Sequence, residues 1–260
     1  MQNPPARKSA EGSSDMNILL IILCSLLFLY LVYLAFLSVC ALLVVKKEYD
    51  KESAFYRAVL DNSTRNILKL LRIHVHVTGM EKVPRDTKCL FVSNHRSNYD
   101  PIVTWYAFKD WHIAYISKKE NFSIPIFGRI IRRCCFMAID RKNIRNAVPT
   151  IRKAGELLKK REVSIGVYPE GTRSRNGVLL PFHDCMFRIA ISGEAPIVVL
   201  AVSGTEKIFR NIKRLRRSDV RIDVLETIPH SRACGMRSSE IGGEVRLLME
   251  NDLKAVGEIK

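Results

Sequence analysis

Positions 18–45 are the longest apolar run of the chain, 28 residues from Ile18 to Val45 without a charge, a proline or a glycine. As a straight helix the run spans roughly 42 Å, against a bilayer hydrocarbon core of about 30 Å. It predicts a membrane anchor that either crosses with tilt or lies partly in the interface. Because it is apolar on every side, its period does not choose between these. It is too long for a signal peptide, no small-x-small cleavage site follows, and Lys46-Lys47 comes next. Residues 1–17 are polar, carry Pro4-Pro5 and Ser13-Ser14, and read as a disordered tail.

After the anchor the period becomes helical. Phe55, Val59, Ile67, Leu68, Leu70 and Leu71 recur at helical spacing, with Arg57, Arg65, Lys69 and Arg72 between them. Residues 46–72 thus read as an amphipathic interfacial segment, helical over 52–72 and suited to the headgroup layer. An ordinary helix packed on the domain has the same pattern. Ile73–Val77 then alternates like a strand. Further strands are expected at Cys89–Ser93, His112–Ser117, Cys135–Ile139, Ser164–Tyr168, Ile197–Val202 and Val220–Leu225. Helical patterns fall at Ile102–Phe108, Ile144–Lys160, Phe187–Ser192, Ile208–Arg217 and Glu240–Val256. Strands alternating with helices predict an α/β domain over 73–260, a central mixed sheet flanked by helices.

Composition adds a partner class. Lys and Arg exceed Asp and Glu by 42 − 26, a net charge of +16 in 260 residues. Arg7 and Lys8 cancel Glu11 and Asp15, so the whole excess lies in 46–260. Such a charge favours anionic partners: nucleic acid, an anionic membrane face, or phosphorylated substrates. Positive residues C-terminal to the anchor place that side in the cytoplasm. A basic helix, Lys207 to Arg217, lacks the aromatic interleaving of a single-strand nucleic-acid platform. With an anchor upstream it suits phospholipid headgroups or an acidic carrier protein, or is a solvated face. The seven cysteines are odd in number without a Cys-x-x-Cys pair, and read as free thiols of a reducing compartment. His74 and His76 would share one strand face, a pattern of half-exposed strands more than of a metal site.

Three clusters carry candidate chemistry. In Ser93-Asn94-His95-Arg96-Ser97-Asn98-Tyr99-Asp100-Pro101 an apolar strand runs into a polar loop. Residues five apart on a regular helix point about 140° away from each other, so His95 and Asp100 meet only if the chain turns between them. Asn94, Ser97 and Asn98 are turn formers. A carboxylate on one imidazole nitrogen fixes the tautomer and leaves the other nitrogen to take a proton from a hydroxyl. Asp100 before Pro101 is equally a helix N-cap. In Tyr168-Pro169-Glu170-Gly171-Thr172-Arg173-Ser174, Gly171 permits close backbone approach and Arg173 offers a planar fork for phosphate. A solvated turn with Glu170 paired to Arg173 fits as well. The third cluster holds Lys119, Glu120, Pro125, Gly128 and a strand ending at Arg141, which can reach the same anion or pair on the surface. No G-x-S-x-G, P-loop, G-x-G-x-x-G or H-E-x-x-H motif is present.

Together these residues resemble the glycerolipid acyltransferase family, in particular the bacterial-type 1-acylglycerol-3-phosphate acyltransferases. The likeness covers about residues 90–205. Asn94-His95-x-x-x-x-Asp100-Pro101 is similar to the family's first block. Lys119-Glu120 with Pro125, Gly128 and Ile139-Asp140-Arg141 is similar to its second, Pro169 to Ser174 to its third, and Ala195-Pro196-Ile197-Val198 to its fourth. The resemblance implies His95 as general base and Asp100 as its orienting partner. It implies an acceptor-phosphate site using Arg141, Glu170, Gly171, Thr172, Arg173 and Lys119, and an acyl-binding wall at the fourth block. It further implies transfer of a fatty acyl group from acyl-CoA or acyl carrier protein to a lysophospholipid, most simply lysophosphatidic acid. Membrane lipids would be the partners, with no metal or redox cofactor and no nucleic acid, at the cytoplasmic face of the cell membrane. Another lysolipid headgroup, or lipid binding without turnover, are the alternatives. Two positions depart from the family. Cys135 stands where it usually has Gly, and Pro181-Phe182-His183-Asp184-Cys185 stands where it usually has Lys and Gly.

Overall fold

The computed structural model describes residues 8–140, 144–175 and 177–258, with only the backbone described at 8–15 and 144–145. The chain divides into two compact units, Met1–Val45 and Lys46–Lys260.

The first unit is one helix, α1 (Lys8–Leu42). Its stretch Met16–Leu42 holds an 18-residue window of mean hydropathy 2.9 and is long and apolar enough to cross a membrane. The helix begins at Lys8, inside the segment expected to be a disordered tail. No proline follows Pro5 before Leu42, so nothing in 8–17 removes a backbone donor from the helix.

The second unit contains β1 (Ile73–Thr78), β2 (Leu90–Ser93), β3 (Ile113–Lys118), β4 (Met137–Ile139), β5 (Ser164–Val167), β6 (Ile197–Ser203) and β7 (Ser218–Ile228). Its α-helices are α2 (Ala54–Leu70), α3 (Asp100–Ala107), α4 (Phe127–Ile130), α5 (Val148–Lys159), α6 (Arg188–Ser192), α7 (Ile208–Lys213), α8 (His230–Ala233) and α9 (Ser238–Ala255). The strands make one sheet in the order β1-β7-β6-β2-β5-β3-β4. Every neighbouring pair is parallel except β6 with β7, so the sheet is mixed, as expected.

β2, β5 and β6 are buried along their whole length. Their continuous apolar runs are those of strands covered on both faces. β2, β3, β4, β5 and β6 run the same way. The loops after them therefore open at one end of the sheet, where ligands gather in open α/β folds. The fourth block is an exception among the motifs. Pro196 precedes and Ile197 begins β6 beside Leu90, about five residues or roughly 17 Å of strand from His95. Ile197 and Val198 are sheet core, fully buried, and form no wall at the site.

The expected interfacial helix belongs to this same unit. α2 buries Arg57, Leu60, Thr64 and Leu68 and leaves Phe55, Ile67 and Leu70 exposed. Apolar spacing misplaced its inner face because a charge is buried there. The Arg57 guanidinium lies 4.2 Å from the centre of the Trp105 ring and donates to Glu52 Oε2 at 2.8 Å and to the Ile113 carbonyl at 3.0 Å. A buried cation needs such paired carboxylate and aromatic partners.

Candidate active site

His95 and Asp100 meet. The loop after β2 turns so that His95 Nδ1 lies 2.7 Å from Asp100 Oδ2. That same oxygen accepts the backbone N–H groups of Arg96 and Ser97, each at 2.7 Å. Asp100 does not serve as N-cap. Tyr99 holds that position and Asp100 is the first residue of α3, its carboxylate turned back onto the loop before the helix. Asp100 is fully buried and His95 is 8% exposed. With Nδ1 taken, Nε2 bonds to no protein atom among the described residues. The other carboxylate oxygen, Oδ1, accepts the Thr205 hydroxyl, which arrives from the loop after β6.

The loop after β5 closes on His95 from the far side. Glu170 Oε1 accepts the His95 backbone N–H at 2.6 Å, and Ser174 donates its N–H to the His95 carbonyl at 2.8 Å. Glu170 Oε2 accepts Leu180 N–H at 2.9 Å. Both oxygens of this buried carboxylate are thus used to brace the site, and no pair with Arg173 forms. Burial raises the Glu170 carboxyl above its ordinary value, with the Leu180 and His95 N–H groups pulling it back. The carboxylate expected in the phosphate set is thus engaged by two backbone N–H groups of the site.

Tyr168 supplies a floor. Its ring stacks on the His95 imidazole at 4.4 Å and 24°, and on Tyr115 at 6.0 Å and 9°. The Tyr115 hydroxyl lies 2.6 Å from Thr104 Oγ1, which donates to the Asp100 carbonyl at 2.7 Å. Burial pushes both phenols up, so they stay neutral. Asn94 ties the end of β2 to β6 through both amide atoms, 2.8 and 2.9 Å from the backbone of Val202.

The anion-binding candidates are spread along the rim. Thr172 and Arg173 are exposed on the loop between Glu170 and Ser174, and Arg173 forms no ion pair among the described residues. Gly171 has φ +65°, and a Cβ there would come within 2.9 Å of the His183 ring. The stretch that departs from the family pattern thus covers Gly171. Lys119, after β3, lies 3.4 Å from Asp140 and faces solvent. Arg141 lies outside the described residues. Beside Tyr168 and Gly171 opens a pocket lined by Ile116, Ile139, Val167 and Met186.

Tyr168 closes the expected strand Ser164–Tyr168 and Thr205 lies three residues past the expected strand Ile197–Val202, and the sequence assigns neither a role in the site. The rule that placed His95 at a strand end reaches them too. Only the sheet order shows that β6 returns to the same end.

The Acyltransferase family model matches residues 74–203, half of the chain. The chain belongs to that family. The 1-acyl-sn-glycerol-3-phosphate acyltransferases of Salmonella typhimurium and Escherichia coli K12 are each 34% identical to it over 164 residues. Those matches cover 63% of this chain and 66% of each relative, just under two thirds of their length. In the solved structures, the 1-acyl-sn-glycerophosphate (LPA) acyltransferase PlsC of Thermotoga maritima superposes with a TM-score of 0.63 at 23% identity. The superposition covers 78% of this chain and 80% of PlsC, and shows a shared fold. Within the Acyltransferase match lie His95, Asp100, Glu170 and Arg173, whereas Thr205 falls two residues beyond its end.

Proposed function

We propose that this chain transfers a fatty acyl group from a thioester donor to the free glycerol hydroxyl of lysophosphatidic acid, giving phosphatidic acid. The observation that carries the reading is the 2.7 Å contact of His95 with a fully buried Asp100, in a chain whose relatives bear that name. His95 Nε2 takes the hydroxyl proton as the glycerol oxygen attacks the thioester carbonyl. The C–O bond forms, the C–S bond breaks, and the imidazolium returns its proton to the departing thiolate. Asp100 holds the imidazole tautomer and stabilises the imidazolium. The reaction written so needs no metal or redox cofactor, and no nucleic acid takes part.

The acceptor phosphate is assigned to Arg173 with Thr172, Lys119 and Arg141, beside Gly171, whose own N–H is taken by the Tyr168 carbonyl at 3.0 Å. The pocket beside Tyr168 suits an acyl chain. Acyl-CoA or acyl carrier protein serves as donor, and membrane lipids surround α1, with the catalytic unit on the cytoplasmic side of the cell membrane. A different lysophospholipid acceptor is the second reading, favoured by His183 sitting over Gly171 where the family has Lys and Gly.

The test is thiol release by the purified chain with acyl-CoA or acyl carrier protein and a panel of lysolipids. His95→Ala should cost about 10²- to 10⁴-fold in turnover while the melting transition persists. Near-normal turnover in that variant would remove the general-base role. A higher rate with another lysolipid would move the assignment to the second reading.

A further inference from the structure

One corner of the catalytic unit is built for a partner that the transfer chemistry does not use. Residues 65–76 and 207–219 together carry nine Lys and Arg and one acid, Asp219. The sheet joins the two stretches. Ile73 of β1 stands opposite Ser218 of β7, Ser218 N–H donates to the Arg72 carbonyl at 3.0 Å, and Arg72 Nη1 donates to the Leu215 carbonyl at 3.0 Å. Arg217 pairs with Asp219, and Lys207 with Glu258. Among the described residues, Arg65, Lys69, Arg210, Arg214 and Arg216 form no ion pair.

Apolar side chains stand among these cations. Leu215 is 84% exposed, Leu70 80% and Phe209 62%, the three most exposed large hydrophobics among the described residues of the unit. Leu215 has φ +52°, a left-handed turn position where Gly or Asn fits at less strain. A leucine held there between Arg214 and Arg216 contributes nothing to the core. The corner also lies at the catalytic end of the sheet. β6 runs toward Thr205, and antiparallel β7 starts beside its end, with Arg221 opposite Ser203.

Cations alone would suit nucleic acid or an acidic protein. Protruding leucines in left-handed or helix-end positions, ringed by unpaired Arg and Lys, suit a bilayer surface, where apolar tips enter the headgroup boundary and cations meet lipid phosphates. We propose that this corner is a membrane contact of the catalytic unit itself. Leu70, Phe209 and Leu215 enter an anionic bilayer surface, and Arg65, Lys69, Arg210, Arg214 and Arg216 bind its phosphates. The sheet end that holds His95 is thereby turned toward the bilayer, which under the proposed function is where the acceptor resides.

The experiment uses the full chain with Cys24, Cys185 and Cys234 replaced by Ser, the other four thiols being buried. A polarity-sensitive fluorophore is attached at Leu215→Cys and, separately, at Phe209→Cys. The protein is reconstituted in vesicles of phosphatidylcholine alone or of phosphatidylcholine with phosphatidylglycerol. The expected result is a blue-shifted emission, quenched by brominated lipids, in the phosphatidylglycerol vesicles. Arg214→Glu with Arg216→Glu should abolish that shift. A label that stays solvent-like in both vesicles would overturn the proposal. So would a shift that ignores lipid charge and survives the Glu substitutions, or shielding produced by acyl carrier protein and not by lipid. The readout is independent of turnover, so failure of the acyltransferase reading and failure of this contact are separate results.

Discussion

Glu170 holds His95 by its backbone. The carboxylate, in the loop after β5, accepts the N–H of His95, in the loop after β2, at 2.6 Å, and takes a second N–H from Leu180. An amide cannot repeat this, because one of its two ends is itself a donor. Glu170→Gln should leave a buried N–H unsatisfied at about 1–3 kcal/mol. At roughly 2–4 °C per kcal/mol for a unit of this size, the melting temperature should fall by several degrees. The pH dependence follows from burial, which raises this carboxyl despite its two N–H partners. A folded-state value above the unfolded one, 4.5, means the folded chain holds the proton more tightly. That contribution is complete below the unfolded value and is lost as pH rises through the folded one. The melting gap between the parent chain and Glu170→Gln should therefore narrow from acid toward neutral pH. A gap that widened would show the carboxyl held below its ordinary value.

Cys135 occupies a left-handed conformation, φ +59°, where the chain leaves a short 3₁₀ turn, Ile131–Cys134. This accounts for the glycine that the family resemblance places at the position. A side chain there costs about 1–2 kcal/mol of backbone strain. Cys135→Gly should accordingly be more stable than Cys135→Ala by about 1 kcal/mol, the reverse of the usual order. Urea titrations of the two variants decide the matter. Burial also pushes this thiol up to about 12, so it should resist alkylation in the folded chain.

Strand positions were legible because apolar runs and alternation report burial directly, and all seven expected strands form. β7 extends past its expected ends, to Ser218 and Ile228, because pairing with β1 and β6 carries polar residues that periodicity discounts. The inner face of α2 was not legible. Burying Arg57 depends on Trp105 and Glu52, and spacing within one helix carries no word of either. The His95–Asp100 pair could be named as a candidate because the turn formers Asn94, Ser97 and Asn98 accompany two residues five positions apart. The bracing role of Glu170 could not, since its partner lies 75 residues away across the sheet.

Tyr168 sets the plane on which the imidazole rests, its ring 4.4 Å from that of His95. An aromatic pair of this kind is worth about 0.5–1.5 kcal/mol beyond the area it buries. Tyr168→Phe keeps the stack and should retain turnover within a few-fold. Tyr168→Ala removes it, and kcat should fall well below that of the Phe variant. Equal kcat in the two would sever Tyr168 from positioning, and a loss in Phe as large as in Ala would transfer the role to the hydroxyl.

Thr205 completes the buried carboxylate. Its hydroxyl is the donor that reaches Asp100 Oδ1, while Oδ2 is shared by His95 and two backbone N–H groups. Thr205 is itself fully buried, so water does not readily replace it. Thr205→Val keeps the shape and deletes the donor. A hydrogen bond to a charged group is worth about 1.5–3 kcal/mol, and each 1.4 kcal/mol lost from the transition state is about tenfold in rate. If, as proposed, Asp100 acts on the imidazole and not on the substrate, the loss should fall on kcat and leave the acceptor KM unchanged. Thr205→Ser, which retains the hydroxyl, should recover most of the rate. A Val variant with normal kcat and lowered melting temperature would reduce Thr205 to a packing residue. A rise in acceptor KM would place it instead at the substrate.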